Sequence, residues 1–222
     1  MIGVFDSGRG GLAAFREIRR AMPHADIAYL ADRKNAPYGT KSRNELVRLV
    51  SEDIKRLSEI GAEKILIACC TASSVYDALP EQYRRISLPI IEPTAMAALG
   101  ATRGSITVFA TEATVRSSAF SRAIARLCPI CSVCELAAQR LVRLIEYGAP
   151  RDAVFAEVSE LVSKMPDSTD TVVLGCTHFS FAREEFSRLL GDGVQIIDSA
   201  SVGARCIIEK ESDVGFGRCL YT

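Results

Sequence analysis

Two short stretches of the chain each place a thiol beside a hydroxyl where an apolar run ends. "LIACCTASS" (66–74) carries Cys69 and Cys70 ahead of Thr71; "VVLGCTHFS" (172–180) carries Cys176 ahead of Thr177 and His178. A thiol where a strand gives way to a helix sits at a position that favours the thiolate. His178, two residues past Cys176, can share its proton, and Asp6 on the first strand can approach Cys69. Two separated thiols, each with a proton-handling partner, can serve opposite faces of one carbon: one removes a proton, the other returns one. Matching the threonines of the two stretches would pair Cys70, rather than Cys69, with Cys176, so the residues alone leave that register open.

Other groups invite chemistry less strongly. "DSGRGG" (6–11) is a glycine-rich turn, but it lacks full G-x-G-x-x-G spacing and no Walker lysine follows. "CPICSVC" (128–134) has spacing that could place thiolates on a metal, yet no further Cys or His lies close by. Inert packing is the plainer reading of Cys128, Cys131, Cys134, Cys206 and Cys219. His24, in "MPHAD", reads as a solvent-facing loop residue.

The elements that must hold these groups follow from the pattern. The 222 residues are rich in aliphatic side chains, contain no Trp and are only 7% aromatic. Strand patterns alternate with helical ones, which argues for an α/β fold with mostly parallel sheets. Strands are expected at about 2–5, 26–30, 64–68, 88–92, 105–110, 130–134, 171–175 and 194–197. Helices are expected at about 11–22, 42–60, 73–84, 113–126, 135–147, 151–163, 181–190 and 201–210. In such sheets ligands sit beyond the carboxyl ends of the strands, where Asp6-Ser7-Gly8, Asp32, Cys69-Cys70-Thr71, Thr111-Glu112, Cys176-Thr177-His178 and Asp198-Ser199 fall.

A faint repeat runs through this layout. "IGVF" opens at Ile2 and "ITVF" at Ile106; Cys69 follows the first by 67 positions and Cys176 the second by 70. Two related α/β lobes would explain it, with a linker near 91–104, where Pro and Gly interrupt the pattern. Lys plus Arg and Asp plus Glu number 27 each, so the chain has no broad charged footprint for nucleic acid or anionic membrane. No apolar run is long enough for a membrane span and no basic n-region opens the chain, so a cytoplasmic protein with eight reduced cysteines is expected.

The ordered motifs "IGVFDSGRGGL", "DIAYLADRKNAPYGTKS", "ILIACCTAS", "IIEPTAMAAL", "VFATEATVRSSAF", "TVVLGCTH" and "IIDSA" run nearly the length of the chain. Together they resemble the cofactor-independent aspartate/glutamate racemases, and "DSGRGG", "APYG" and Cys-Thr-His resemble the glutamate branch. The resemblance implies two pseudo-symmetric α/β lobes around an active-site cleft, with residues 1–93 and about 197–222 in the first and 94–196 in the second. It implies acid/base catalysis by Cys69 and Cys176, assisted by Asp6 and His178. Substrate contacts would come from Asp6, Ser7, Pro37, Tyr38, Gly39, Cys70, Thr71, Thr177 and His178, with Glu146 near the second thiol.

The activity implied is interconversion of L- and D-glutamate for peptidoglycan synthesis, without cofactor or metal, by a homodimer. The alternatives are a racemase of aspartate or diaminopimelate, and a weakly catalytic relative that binds a partner such as DNA gyrase. Cys70 stands where the family has asparagine, and a thiol is a poor donor. "ELAAQRL" (135–141) replaces a Cys-Pro-containing stretch.

Overall fold

The computed structural model describes residues 1–222. The first lobe opens with β1 (Ile2–Asp6), α1 (Leu12–Ala21), β2 (Ile27–Ala31), α2 (Arg43–Glu59) and β3 (Lys64–Ile67). It continues through two short helices, α3 (Cys70–Ser73) and α4 (Glu81–Ile86), to β4 (Ser87–Pro89). Helix α5 (Ile91–Ala101) leads to β5 (Ser105–Ala110), α6 (Glu112–Ser117), α7 (Ala119–Leu127), β6 (Ser132–Ala137), α8 (Gln139–Glu146) and α9 (Arg151–Val162). Then come β7 (Thr171–Gly175), α10 (Arg183–Leu190), β8 (Gln195–Asp198), α11 (Ser199–Ile208) and β9 (Cys219–Tyr221).

Every strand pairing is parallel. One sheet has the order β4-β3-β1-β2-β9 and the other β6-β5-β7-β8. Read from the matching edge, β2-β1-β3-β4 repeats as β6-β5-β7-β8. The faint sequence repeat is therefore a repeat of topology, with β9 added at one edge. In each sheet the chain reverses its direction of growth beside the opening strand, between β1 and β3 and between β5 and β7. Such switch points leave a crevice at the strands' carboxyl ends. Cys69 follows β3 and Cys176 follows β7, so the repeat delivers the two thiols to equivalent places.

Alternate residues of each strand enter different cores. Val4 and Leu66 face the largest apolar cluster, which also takes Ile106, Val108 and Val173 of the second sheet, with α5 and α11 packed between. Phe5, Ile65 and Ile67 face a second cluster under α2; Phe109, Val172 and Leu174 face a third, built with α8, α9 and α10. A core shared by both sheets fixes how the two rows of strand ends face each other. Helix α2 starts where Ser42 Oγ accepts from Glu45 N at 3.4 Å. The Glu45 carboxylate completes no reciprocal cap and pairs with Lys41 Nζ at 2.7 Å instead. No helix is long and apolar enough to cross a membrane.

Several expected elements differ. The strand expected at 88–92 ends at Pro89, and the linker expected at 91–104 is mostly helix α5. Pro93 is no obstacle there, because it lies in the first turn, where a backbone N–H has no intrahelical acceptor. The single helix expected over 73–84 is broken by Pro80 into short turns. The one expected over 113–126 divides at Ser118, whose φ of 51° is left-handed. Strand β6 lies slightly later than expected, and β9 was not anticipated. The expectation of eight reduced cysteines is corrected at one place: Cys128 and Cys131 form a disulfide across the turn between α7 and β6, their Cα atoms 5.6 Å apart. Six cysteines are free. Two of the three sulfurs of "CPICSVC" are thus bonded to each other, leaving Cys134 on β6.

Candidate active site

A cleft of about 630 Å3, its open mouth included, lies between the two rows of strand ends. Ser7, Tyr38, Cys69 and Thr71 line it from the first lobe; Thr111, Gln139, Glu146, Cys176, Thr177 and His178 line it from the second. Both thiols are buried, at 5% and 7% exposure, yet both face this one space.

Each thiol is set by the turn after its strand. Cys69 remains extended, at φ −139° and ψ 117°, just before α3, and Sγ accepts from Ala72 N at 3.5 Å. Its other neighbour is Ser7 Oγ at 3.3 Å. Cys176 is likewise extended, at φ −148° and ψ 131°, before the 3-10 turn Thr177–Ala182. Its Sγ lies 3.7 Å from His178 Nδ1. His178 Nε2 is 2.5 Å from Glu146 Oε2, and Arg9 N donates to the same oxygen at 3.1 Å. The second thiol therefore heads a Cys176–His178–Glu146 chain, whereas the first meets only a hydroxyl and a backbone N–H.

The thiol acidities depart from the sequence expectation. Burial pushes Cys69 up to about 11, the charge of Asp6 adds to the rise, and the Ser7 hydroxyl opposes it. Burial also raises Cys176 well above the ordinary thiol range, reinforced by Cys70 and Cys69 and opposed by the His178 backbone N–H. The helix-terminus effect anticipated from sequence is outweighed because α3 is a single turn and a 3-10 turn follows Cys176, while desolvation acts on the whole thiolate charge. A thiolate formed here is rarer and more basic than one in water. Glu146 moves the opposite way, lowered by its hydrogen bond to His178.

Two expected contact residues stand outside the cleft wall. Asp6 is fully buried beneath it, accepting from Gly8 N at 2.7 Å and from Thr177 Oγ1 at 2.9 Å. Burial raises its pKa against the charge of His178. Cys70 is 1% exposed and packs in the core shared by both sheets, where burial raises its thiol pKa. The side chains of Cys69 and Cys70 point apart because successive residues at a strand end face opposite ways.

The seam between the lobes is held by paired hydroxyl contacts. Thr71 Oγ1 lies 2.8 Å from Thr111 Oγ1, and Thr114 Oγ1 is within 2.9 Å of Thr111. The Thr177–Asp6 bond is the counterpart of Thr71–Thr111: each joins a residue at the carboxyl end of an opening strand, Asp6 closing β1 and Thr111 following β5, to a threonine after the switch-point strand of the other lobe. Gly10 explains part of "DSGRGG". A Cβ there would sit 2.4 Å from Thr177 Oγ1 and 2.7 Å from His178 N, so the glycine lets the second lobe approach.

Pro37, Tyr38 and Gly39 form one wall. Tyr38 anchors it, its phenol 2.6 Å from Asp32 Oδ2 and 3.0 Å from Asp53 Oδ2. One phenol hydrogen cannot serve both carboxylates. Asp53 is raised to about 7 by burial and by the charge of Asp32, against Arg56, so its protonated form supplies the second hydrogen. Opposite, Gln139, Val142, Arg143 and Glu146 line the cleft from one face of α8, at i, i+3, i+4 and i+7 spacing. Of these only Glu146 was anticipated. In the sequence Thr111 reads only as a strand-end residue, and Gln139 carries no signal beyond the unusual "ELAAQRL" stretch.

Paired parallel sheets with a thiol at each switch point, both facing one cleft, define a class of two-lobed α/β enzymes built for proton transfer at a single carbon. Residues 11–207 match the Asp/Glu/Hydantoin racemase family, and the chain belongs to that family. A glutamate racemase of Herpetosiphon aurantiacus is 40% identical over 211 residues, covering 92% of this chain and 82% of the relative. A glutamate racemase structure from Bacillus anthracis superposes with a TM-score of 0.86 at 28% identity, covering 100% of this chain and 86% of that one. The structure of Francisella tularensis glutamate racemase in complex with D-glutamate gives a TM-score of 0.86 at 27% identity, covering 99% and 86%.

Proposed function

We propose that this protein interconverts L- and D-glutamate, with Cys69 and Cys176 as the two acid/base residues, and thereby supplies D-glutamate for peptidoglycan synthesis. The single observation that carries the reading is the presence of both buried thiols on one interlobe cleft, at repeat-related strand ends.

The substrate's α-carbon lies between the two sulfurs. One thiolate takes the α-proton, forming an S–H bond as the C–H bond breaks. The electron pair passes into the carboxylate, giving a planar enolate-like intermediate. The opposite thiol then protonates the other face, its S–H bond breaking as the new C–H bond forms. Charge is conserved, and the two sulfurs have exchanged protonation states. The α-proton is far less acidic than an ordinary thiol of pKa about 8.5. Desolvation of the thiols narrows that gap, and fixed N–H and O–H donors must stabilise the intermediate.

His178 relays the proton of Cys176, with Glu146 holding its far nitrogen. Cys69 relies on Ser7 and on the nearby charge of Asp6. Ser7, Pro37, Tyr38, Gly39, Thr71, Thr177 and His178 surround the substrate, while Asp6 positions Thr177 from beneath. The lobes divide near residues 93 and 197, with the amino acid held in the cleft between them; the assembly is a homodimer, which light scattering of the purified protein tests.

Incubation with L- or D-glutamate in deuterated water tests the activity. Loss of optical purity with deuterium at the α-carbon is the expected result. Exchange confined to aspartate or diaminopimelate, or no exchange with any of these, contradicts it.

A further inference from the structure

Gln139 is the first residue of α8 and lines the cleft, yet it is 94% buried, with 6% of its surface exposed. Its Oε1 accepts from Glu112 N at 3.3 Å, while its Nε2 is buried with no hydrogen-bond partner. The opposite amide orientation would set two donors face to face, so the network fixes the nitrogen as the unpaired atom. Buried donors are nearly always satisfied, and an orphan at a ligand cleft calls for a partner that arrives with the ligand. The amide presses on the opposite lobe: a Cβ on Gly39 would lie 2.3 Å from Gln139 Oε1 and 2.9 Å from Thr111 Cβ. The N-terminus of α8, whose N-cap Ala138 offers no capping side chain, starts at the same point and adds favourable potential for an anion.

We propose that Gln139 Nε2 donates a hydrogen bond to a carboxylate of the amino-acid substrate, seated between the start of α8, Gly39 and Thr111. The assignment rests on the proposed amino-acid racemase function of the cleft. The last torsion of a glutamine side chain is broad, so a small turn of the amide presents the NH2 to the ligand while Oε1 stays near Glu112 N.

Steady-state racemisation of glutamate by the full-length wild type, Gln139→Glu and Gln139→Met tests the assignment. Gln139→Glu keeps the oxygen that Glu112 N bonds and replaces only the donor with an anion. Its KM rises at least about tenfold, the loss of one hydrogen bond to a charged group, with a smaller change in kcat. That rise is larger at about pH 8 than at about pH 5.5, where the introduced carboxyl is more often protonated. Gln139→Met gives a KM increase of about tenfold with little pH dependence. Wild-type KM in both variants overturns the assignment of Gln139 alone, and so does a loss confined to melting temperature. Absence of turnover in the wild type contradicts the function and takes this assignment with it.

Discussion

Thr177 Oγ1 donates to Asp6 Oδ2 at 2.9 Å across the seam between the lobes. The donor follows the second thiol and the acceptor ends the first strand, so one hydrogen bond ties the two halves of the repeat together at the floor of the cleft. Burial already raises the Asp6 pKa, and Thr177 is among the groups that hold it down. Removing the hydroxyl in Thr177→Val leaves a buried carboxylate short of a partner, costing about 1–3 kcal/mol. The cost falls on the ionised form, so the loss of melting temperature relative to wild type should grow as pH rises. Paired thermal melts at acidic and alkaline pH check this; an equal loss at both contradicts it.

The adjacent cysteines make a register test. Cys69 faces the cleft and meets Ser7, whereas Cys70 is packed in the shared core. Cys69→Ala should lose at least about a hundredfold in kcat, the usual scale of a missing acid/base group. Cys70→Ala should act through packing, with a stability loss of about 1 kcal/mol and a far smaller loss of turnover. The reverse order of the two variants in kcat would assign the chemistry to Cys70.

Glu146 is half-buried behind His178, and their hydrogen bond lowers its pKa. A lowered folded-state pKa contributes stability that is present above the ordinary glutamate range and is lost as pH falls through the folded value. Glu146→Gln should therefore flatten the acid limb of the stability profile. It should also reduce kcat by about tenfold or more, because the imidazole beside Cys176 loses its charged partner. Melting temperature and turnover measured across pH check both effects. A variant with the wild-type acid limb and wild-type kcat would contradict the Cys176–His178–Glu146 chain.

Asp53 gives the opposite sign. Its folded-state pKa is raised to about 7, above the usual 3.8. The folded protein then holds a proton that the unfolded chain has released, so stability falls as pH rises from the ordinary carboxylate range through about 7. Asp53→Asn keeps a donor for the Tyr38 phenol and removes the titration. Chemical denaturation across this range should show a flatter profile for Asp53→Asn, with its advantage over wild type greatest on the alkaline side. Parallel profiles would contradict the protonated Asp53–Tyr38 contact.

The strand starts and both Cys-Thr stretches were legible in the sequence because parallel strands buried on both faces read as apolar runs that end in small polar residues. The spacing from Ile2 to Cys69 and from Ile106 to Cys176 anticipated the topological repeat, which only the strand order makes plain. Helix α5 was hidden because Pro93 and Gly100 read as interruptions, and a first-turn proline is recognised as harmless only once the helix start is known. The opposite facing of Cys69 and Cys70 depends on the backbone at one strand end. Gln139 was invisible because its importance comes from a neighbour on the other lobe, and no local pattern carries that information. Thiol acidity was misjudged for a related reason: the sequence marks a helix start, but the depth of burial is a property of the assembled cleft.

The central claim is that two separate thiols serve opposite faces of one carbon. Isotope placement at early conversion of L-glutamate in deuterated water tests it most directly, with the two enantiomers separated before mass analysis. A thiol carries one proton, so the hydrogen taken by the first sulfur stays there while the second delivers a deuteron from solvent. The account predicts deuterium at the α-carbon of the D-glutamate formed and protium in the L-glutamate that remains. D-glutamate retaining the substrate's own hydrogen, or deuterium entering both enantiomers equally from the start, would contradict it.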